Sequence, residues 1–112
     1  MRLRERDLKT VYLKRHTVEI DEEGDEQINY SEESEEIRMT VQAAGGQINA
    51  QIYGVRLPYI KSCKYQGDVI QEARNENDGV CVYVSKEEEP DYRIISIQEF
   101  TTHVNVTIER TT

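Results

Sequence analysis

A chain of 112 residues has room for one domain, and 37% hydrophobic residues with a single phenylalanine and no tryptophan allow only a thin core. The formal net charge of −8 argues against a free nucleic-acid-binding protein, because Lys and Arg supply most of the affinity for phosphate. The sequence has neither an apolar run of membrane-spanning length nor a secretion signal. We therefore expect a protein made in a cytosol, with no membrane partner.

The first part of the chain is basic and leads into a strand pattern. Residues 1–8 mix charges with leucine and fit either one helical turn or an ordered arm. Residues 9–20 then alternate apolar and polar positions and are rich in β-branched side chains. This pattern predicts a β-strand.

A strongly acidic segment, residues 19–36, follows this strand. It carries ten acidic residues and no basic one. Such a charge block is typical of a solvated loop or of a surface that contacts a basic partner, and both interpretations stay open. We expect a long β-hairpin connection in which residues 27–31 pair briefly. The acidic residues singled out for contact are Glu22, Glu23, Asp25 and Glu26.

The middle of the chain contains two predicted strands around a glycine pair. Residues 37–43 alternate and indicate a half-buried strand. The glycines at positions 45 and 46 end it, because they release the backbone into conformations that other residues avoid. Residues 47–54 fit a loop with a short helical or strand-like piece. Residues 57–65 predict another strand, with Pro58 near its start, where a missing hydrogen-bond donor is tolerable.

The last part of the chain contains the clearest strand signals. Residues 67–77 are polar and predict a turn or a short helix. Residues 80–84 follow an Asn-Asp-Gly turn and have the strongest strand pattern of all, and residues 92–100 and 103–109 predict two more strands. Six or seven short strands without a long helical period indicate an all-β fold. We expect a small antiparallel barrel or sandwich with at most one short helix.

Residue types that could perform chemistry are present, but their spacing is wrong for it. His16, Cys63, Cys81 and His103 lie on four separate segments and lack the close pairing of a zinc site. We expect the cysteines to be reduced, packed thiols and the histidines to lie at the surface. The carboxylates cluster in the solvated block, where little would shift their pKa values toward catalytic ones. The sequence therefore predicts a protein without enzymatic activity, metal or cofactor.

The glycine-flanked segment from position 45 to position 59 is the best candidate for a contact surface. Tyrosine and arginine are the residues that most often anchor protein contacts. The alternative is an ordinary loop that covers one end of a barrel. The candidate subunit or partner interface comprises Gly45, Gly46, Gln47, Gln51, Tyr53, Arg56 and Tyr59.

The order of these features resembles a known family. The residues that carry the resemblance are Arg6-Asp7-Leu8-Lys9-Thr10, the acidic loop, Met39 to Gly46, Gln51-Ile52-Tyr53-Gly54, Leu57-Pro58-Tyr59 and Tyr92-Arg93-Ile94-Ile95. Over nearly the whole chain, this run is similar to the small head-closure proteins, also called head–tail connector or stopper proteins, of long-tailed phages and prophages of Gram-positive bacteria.

The resemblance implies one β-barrel domain over residues 1–112 that assembles into a ring. Such a ring would join the portal and adaptor of the phage head to the tail and close the DNA channel after packaging, with residues 44–57 as the loop that projects into the channel. The implied partners are the portal–adaptor protein, the tail terminator or tail proteins and further copies of the chain, in a virion whose proteins are made in the bacterial host cytoplasm. DNA would pass without specific binding, which an acidic lining would favour.

Two other functions remain open. The first is a tail-completion or tail-terminator ring protein of a phage. The second is a host β-domain that binds peptides along an exposed strand edge.

Overall fold

The computed structural model describes residues 3–45 and 47–111, and there the chain folds into a closed barrel with a projecting hairpin. The described strands are β1 (Lys9–Lys14), β2 (His16–Ile20), β3 (Glu26–Tyr30), β4 (Glu35–Ala43), β5 (Ile60–Tyr65), β6 (Gly79–Cys81), β7 (Tyr92–Glu99) and β8 (Val104–Arg110). Six of them close an antiparallel barrel in the order β1-β4-β5-β8-β7-β6, while β2 and β3 form a separate two-stranded sheet. The predicted all-β barrel is confirmed.

The described helical elements are short. The α-helix α1 covers Gln47–Tyr53, and 3₁₀ turns cover Glu5–Asp7 and Gly54–Tyr59. Within the described residues, neither α1 nor the 3₁₀ turns are long and apolar enough to cross a membrane. The helical option for residues 47–54 is thus the one the chain adopts.

The core lies inside the barrel, where alternate residues of each strand point inward. Ile37 and Met39 of β4 are buried, as are Val104, Val106 and Ile108 of β8. This alternation is what the sequence pattern of both strands predicts, because successive side chains of a strand point to opposite faces.

The predicted single strand over residues 9–20 is wrong, since the chain forms two strands that belong to different sheets. The change occurs at Arg15, where the carbonyl accepts a hydrogen bond from the Ser31 amide at 2.9 Å. Directly afterwards, the His16 amide donates to the Asp78 carboxylate at 3.1 Å. These contacts end the pairing of β1 with β4 and β6, and β2 pairs with β3 instead.

Two other strands are shorter than their sequence patterns predict. The pattern of residues 80–84 gives only the short strand β6, because the amides of Val82 and Tyr83 donate to the Asp91 carboxylate at 2.8 and 3.0 Å rather than to a strand. Strand β5 begins at Ile60 instead of position 57, since Pro58 lies within the preceding 3₁₀ turn.

Both cysteines are free and buried, as predicted. Cys63 is a member of the core cluster. Cys81 alternates with the core residue Val80 and therefore lies on the outer side of β6, where its Sγ is 3.7 Å from the carbonyl oxygen of Glu88. The charged loop that contains Glu88 thus covers the outside of this short strand.

Candidate contact surfaces

The β4–β5 connection (residues 44–59) is held on the barrel by a bidentate ion pair between Arg56 and Glu109. Arg56 Nε and Nη2 donate to the two carboxylate oxygens of Glu109 in β8, each at 2.7 Å. The hydrogen bond from Arg56 lowers the pKa of Glu109. The guanidinium carbon also lies 6.0 Å from the centre of the Tyr53 ring, a cation–π distance. Arg56, predicted as a partner contact, is therefore engaged within its own chain.

The exposed side chains of this connection are largely apolar. Val55 is 92% exposed, Ile52 65% and Tyr59 50%. Sequence reasoning selected Tyr59 but missed Ile52 and Val55, because an apolar residue in a sequence carries no signal that it is left uncovered. We call these three side chains the connection apolar patch.

The other residues of the connection that were predicted to form the interface differ in their exposure. Gly45 and Gln51 are exposed, whereas Tyr53 is partly buried. Gly46 and the side chain of Gln47 lie outside the described residues. The structure thus brings Arg56 and Tyr53 together, and it leaves exposed Ile52 and Val55, which sequence reasoning did not single out.

The hairpin of β2 and β3 presents a second apolar surface. Val18 lies directly opposite Ile28 in the strand register, and Ile20 follows on the same face. Their side chains are 52%, 42% and 71% exposed, respectively. We call them the hairpin apolar face. It is unusual because a two-stranded sheet has marginal stability in water unless a face is covered.

The tip of the hairpin is acidic and sharply turned. One carboxylate oxygen of Asp21 accepts hydrogen bonds from the amides of Glu23 and Asp25, at 3.0 and 2.8 Å. These bonds draw the carboxylates of Asp21, Glu23 and Asp25 to within 4.8 Å of one another. The predicted contact residues Glu22, Glu23, Asp25 and Glu26 are all exposed there. The turn itself accounts for the clustering of these charges.

Asp78 anchors the base of the hairpin to the barrel. This carboxylate is fully buried and accepts hydrogen bonds from the His16 amide and from Asn75 Nδ2, the latter at 2.8 Å. His16 Nδ1 lies 2.5 Å from it and Arg15 Nε 3.2 Å. His16, expected at the surface, is therefore partly buried. No sequence pattern pointed to this cluster, since the Asn-Asp-Gly motif indicated only a turn.

An acidic cleft opens between the hairpin base and the loop after β6. Its volume is about 720 Å³, and its wall includes Glu32, Glu33, Glu87, Glu88 and Glu89. The buried Lys14 reaches into this wall and donates from Nζ to the Glu88 carbonyl at 2.8 Å. These five carboxylates are exposed, and Lys14 and Lys86 are the lysines among the lining residues, so the cleft carries an excess of negative charge.

Comparisons with protein-family models and with curated proteins gave no match.

Proposed function

We propose that this protein is a structural subunit of a phage particle, a head-closure protein that joins the portal and adaptor of the head to the tail and closes the DNA channel after packaging. The observation that supports it most is a small closed barrel with two exposed, largely apolar projections, the hairpin and the β4–β5 connection. Exposed apolar patches of this kind mark protein contacts. The order of sequence motifs supplies the phage assignment.

The closed barrel favours contact through projections over peptide binding along a strand. Each of the six barrel strands pairs on both sides within the described residues, and closure removes the edges to which a peptide strand could add. Among the described strands, the outer edges of the two hairpin strands offer such a template, as does the short part of β1 that extends beyond β6. The host peptide-binding alternative is weaker for this reason.

The charge of the molecule fits a conduit for DNA. A subunit with a net charge of −8 and a solvated acidic hairpin repels phosphate, so DNA can slide past without adhering. The partners under this proposal are the portal–adaptor protein, the tail terminator or tail proteins and other copies of the chain in the virion. The protein itself supplies no catalytic step.

The test is complementation of a phage that lacks its head-closure gene. We expect the protein to bind purified portal–adaptor particles in electron micrographs and to restore DNA retention in the heads. Val55→Asp, in the connection apolar patch, should weaken both, whereas Ser62→Asp on the exposed wall of β5 should weaken neither. Binding to tail tubes without portal–adaptor binding would favour the tail-terminator alternative. Failure in both assays would contradict the head-closure role, and failure to bind tail tubes as well would contradict a role in the phage particle.

A further inference from the structure

We propose that a cleft between the hairpin and the barrel binds a short segment of a partner protein that is acidic at one end and apolar along its middle. The inference goes beyond the proposed function and does not depend on it, because the chemistry of the cleft would select such a segment in any assembly. It rests on the charge of the cleft floor, on the apolar row beside that floor and on the acidic tip at the end of the row.

The cleft lies where the hairpin passes the ends of β7 and β8. Its volume is about 470 Å³, within the range of roughly 300–1,000 Å³ typical of binding sites. Strand β3 supplies two lining residues, which share a face because they are two positions apart, and the barrel supplies the others. We call it the arginine cleft, and it is lined by Ile28, Tyr30, Arg93, Glu109, Arg110 and Thr111.

The floor of the arginine cleft is positively charged in an otherwise acidic molecule. Both carboxylate oxygens of Glu109 already accept hydrogen bonds from Arg56, each at 2.7 Å. Arg93 lies farther from this carboxylate, at 3.6 Å, and Arg110 makes no ion pair within residues 3–45 and 47–111. Two guanidinium groups therefore have little compensation from carboxylates, and such groups bind a carboxylate through paired hydrogen bonds.

The phenol of Tyr30 adds a neutral donor to the two cations. Its hydroxyl makes no hydrogen bond within the part of the chain that the structure describes. Burial raises the pKa of Tyr30, nearby Arg93 lowers it, and Glu89 and Asp78 raise it further. The phenol therefore keeps its proton at neutral pH and can donate it to a carboxylate oxygen.

An apolar row leads away from the cleft floor along the hairpin. Ile28 lines the cleft, Val18 lies directly opposite Ile28, and Ile20 follows toward the tip. All three side chains are at least two-fifths exposed. From Tyr30 to Glu26, β3 extends about 13 Å at roughly 3.3 Å per residue, which matches about five extended residues of a partner. A segment that covers the row gains the hydrophobic free energy of its burial.

The hairpin tip determines the order of charges in the bound segment. Residues 19–26 contain six acidic residues and no basic one. Acidic residues of a partner are repelled there and attracted to the arginines at the other end of the row, whereas basic residues prefer the tip. The segment that fits is therefore acidic at the cleft, apolar along the row and basic or neutral at the tip.

The same charges favour a protein segment over a nucleic acid. A nucleic acid needs a basic track that neutralises many phosphates, whereas the two arginines of this cleft lie near the acidic tip and near a second cleft with five glutamates. A small molecule also fits less well, because such sites enclose most of their ligand. Ile28 is 42% exposed and Arg110 is exposed, so the cleft is open along its length.

The test is a nuclear magnetic resonance titration of the ¹⁵N-labelled protein with an end-capped peptide, Asp-Glu-Leu-Val-Leu-Lys-Lys. We expect saturable shifts of amide signals in β3, β7 and β8, with a Kd below about 1 mM. The peptide Lys-Asp-Leu-Val-Leu-Glu-Lys has the same composition but mixes the charges at both ends. It should bind at least about tenfold more weakly, because neither of its ends matches the arginines.

Two variants connect the binding to the arginines. Arg93→Gln and Arg110→Gln should each weaken binding about threefold or more, and the double variant at least about tenfold. Arg74→Gln is the matched control, since it removes the same charge from an exposed turn outside the cleft and should change the Kd by less than about twofold. Circular dichroism checks folding, and Arg110→Gln alone, at an exposed position, serves if the double variant is unfolded.

A third peptide isolates the contribution of the acidic end. Asn-Gln-Leu-Val-Leu-Lys-Lys lacks the two carboxylates, so it should bind the wild type weakly and should not distinguish it from Arg110→Gln. Equal binding of this peptide and of the acidic one to the wild type would show that the arginines do not recognise a carboxylate.

Several other results would overturn the inference. These are the absence of saturable shifts up to about 1 mM peptide, equal binding of the two peptides that differ in charge order, and unchanged binding in the double variant. Self-association of the wild type that Arg110→Gln abolishes would assign the cleft to a second copy of the chain. Binding of a single-stranded oligonucleotide that the same variant abolishes would assign it to phosphate.

Discussion

At the scale of single residues, the buried carboxylate of Asp78 determines how the hairpin leaves the barrel. It lies in the loop just before β6 and receives donors from Asn75 of the same loop and from the junction of β1 and β2. Buried carboxylates are tolerated only when such partners replace the lost water. One side chain therefore joins the loop before β6 to the junction of β1 and β2, which lies 62 positions earlier in the sequence.

Replacing Asp78 by Ala should destabilise the fold by about 2 kcal/mol or more, because the buried Asn75 amide and the His16 amide lose their acceptor. Chemical denaturation monitored by circular dichroism measures the free energy of unfolding. Asp68→Asn, at an exposed position, is the control and should change stability by less than about 0.5 kcal/mol. Equal stabilities of Asp78→Ala and the wild type would contradict the anchoring role.

The two thiols should be inert while the protein is folded. Burial raises the pKa of the Cys63 thiol to about 12, and burial also raises the pKa of Cys81. Because the thiolate is the reactive form, neither cysteine should react with a disulfide reagent at neutral pH until the protein is unfolded. Ser62→Cys places a thiol on the exposed wall beside Cys63 and should react at once. Rapid labelling of the native wild type would refute this prediction.

A methyl group at Gly79 should be costly. A Cβ there would lie 2.4 Å from Pro90 Cγ and 2.9 Å from Tyr30 Cδ1, because the hairpin base and the charged loop both close over the start of β6. Gly79→Ala should therefore lose about 1 to 3 kcal/mol, the usual cost of overpacking. Gly45→Ala is the matched control, since an added Cβ meets nothing within 4 Å. Thermal unfolding gives the melting temperature of each variant. A Gly79→Ala variant as stable as Gly45→Ala would show that the charged loop with Pro90 moves aside at little cost.

At the scale of elements, a strand could be predicted from the sequence where its backbone hydrogen bonds go to neighbouring strands. Strand β4 pairs along its full predicted length and β8 along all of its predicted length except His103, so their patterns predicted both the strand and its inward face. The pattern failed where a distant side chain captured the backbone, as Asp91 does at Val82 and Tyr83. Sequence propensity contains no information about such partners, and it cannot place the end of β6.

The candidate site was less predictable than the fold. Residue type selected Arg56 as a partner contact, yet Glu109, 53 positions later in the chain, engages it. The exposed apolar surfaces were missed because Val18, Ile20 and Ile28 have the alternation of an ordinary buried strand face. Whether such a face is covered depends on the tertiary fold, which the local pattern does not contain.

The ion pair that fastens the β4–β5 connection should make stability depend on pH. The pKa of Glu109 is lowered from its ordinary value of 4.5. Its contribution is therefore present above that value and is lost as the pH falls through the lowered pKa, where the carboxylate takes up a proton. Glu109→Gln removes this dependence. The stability difference between wild type and variant, measured from neutral to acid pH, should shrink as the pH falls, and a constant difference would contradict the assignment.

At the scale of the whole molecule, the barrel and the hairpin are separable. The core cluster contains residues of the barrel strands and of the loops after β5 and β6, but none of β2 or β3. The hairpin therefore contributes no side chain to the core cluster. Its acidic residues also supply most of the net charge of the chain.

Shortening the hairpin should leave the barrel folded. Joining Thr17 to Asn29 through an Asn-Gly turn removes residues 18–28 with six acidic residues, which changes the net charge from −8 to −2. We expect cooperative unfolding with a free energy within about 1 kcal/mol of the wild type. Denaturation and far-ultraviolet circular dichroism measure this. Loss of the cooperative transition would show that the barrel depends on the hairpin.

The closure of the barrel also affects how the chain is made. Strand β1 pairs with β4 on one side and with β6 on the other, where Tyr12 lies opposite Cys81. A chain growing from its first residue exposes that second edge until β6 has been synthesised. Contacts between such distant segments slow folding, to the range of milliseconds to seconds in all-β domains. The edge of β1 is therefore most prone to pair with another chain until residues 79–81, which form β6, have been synthesised.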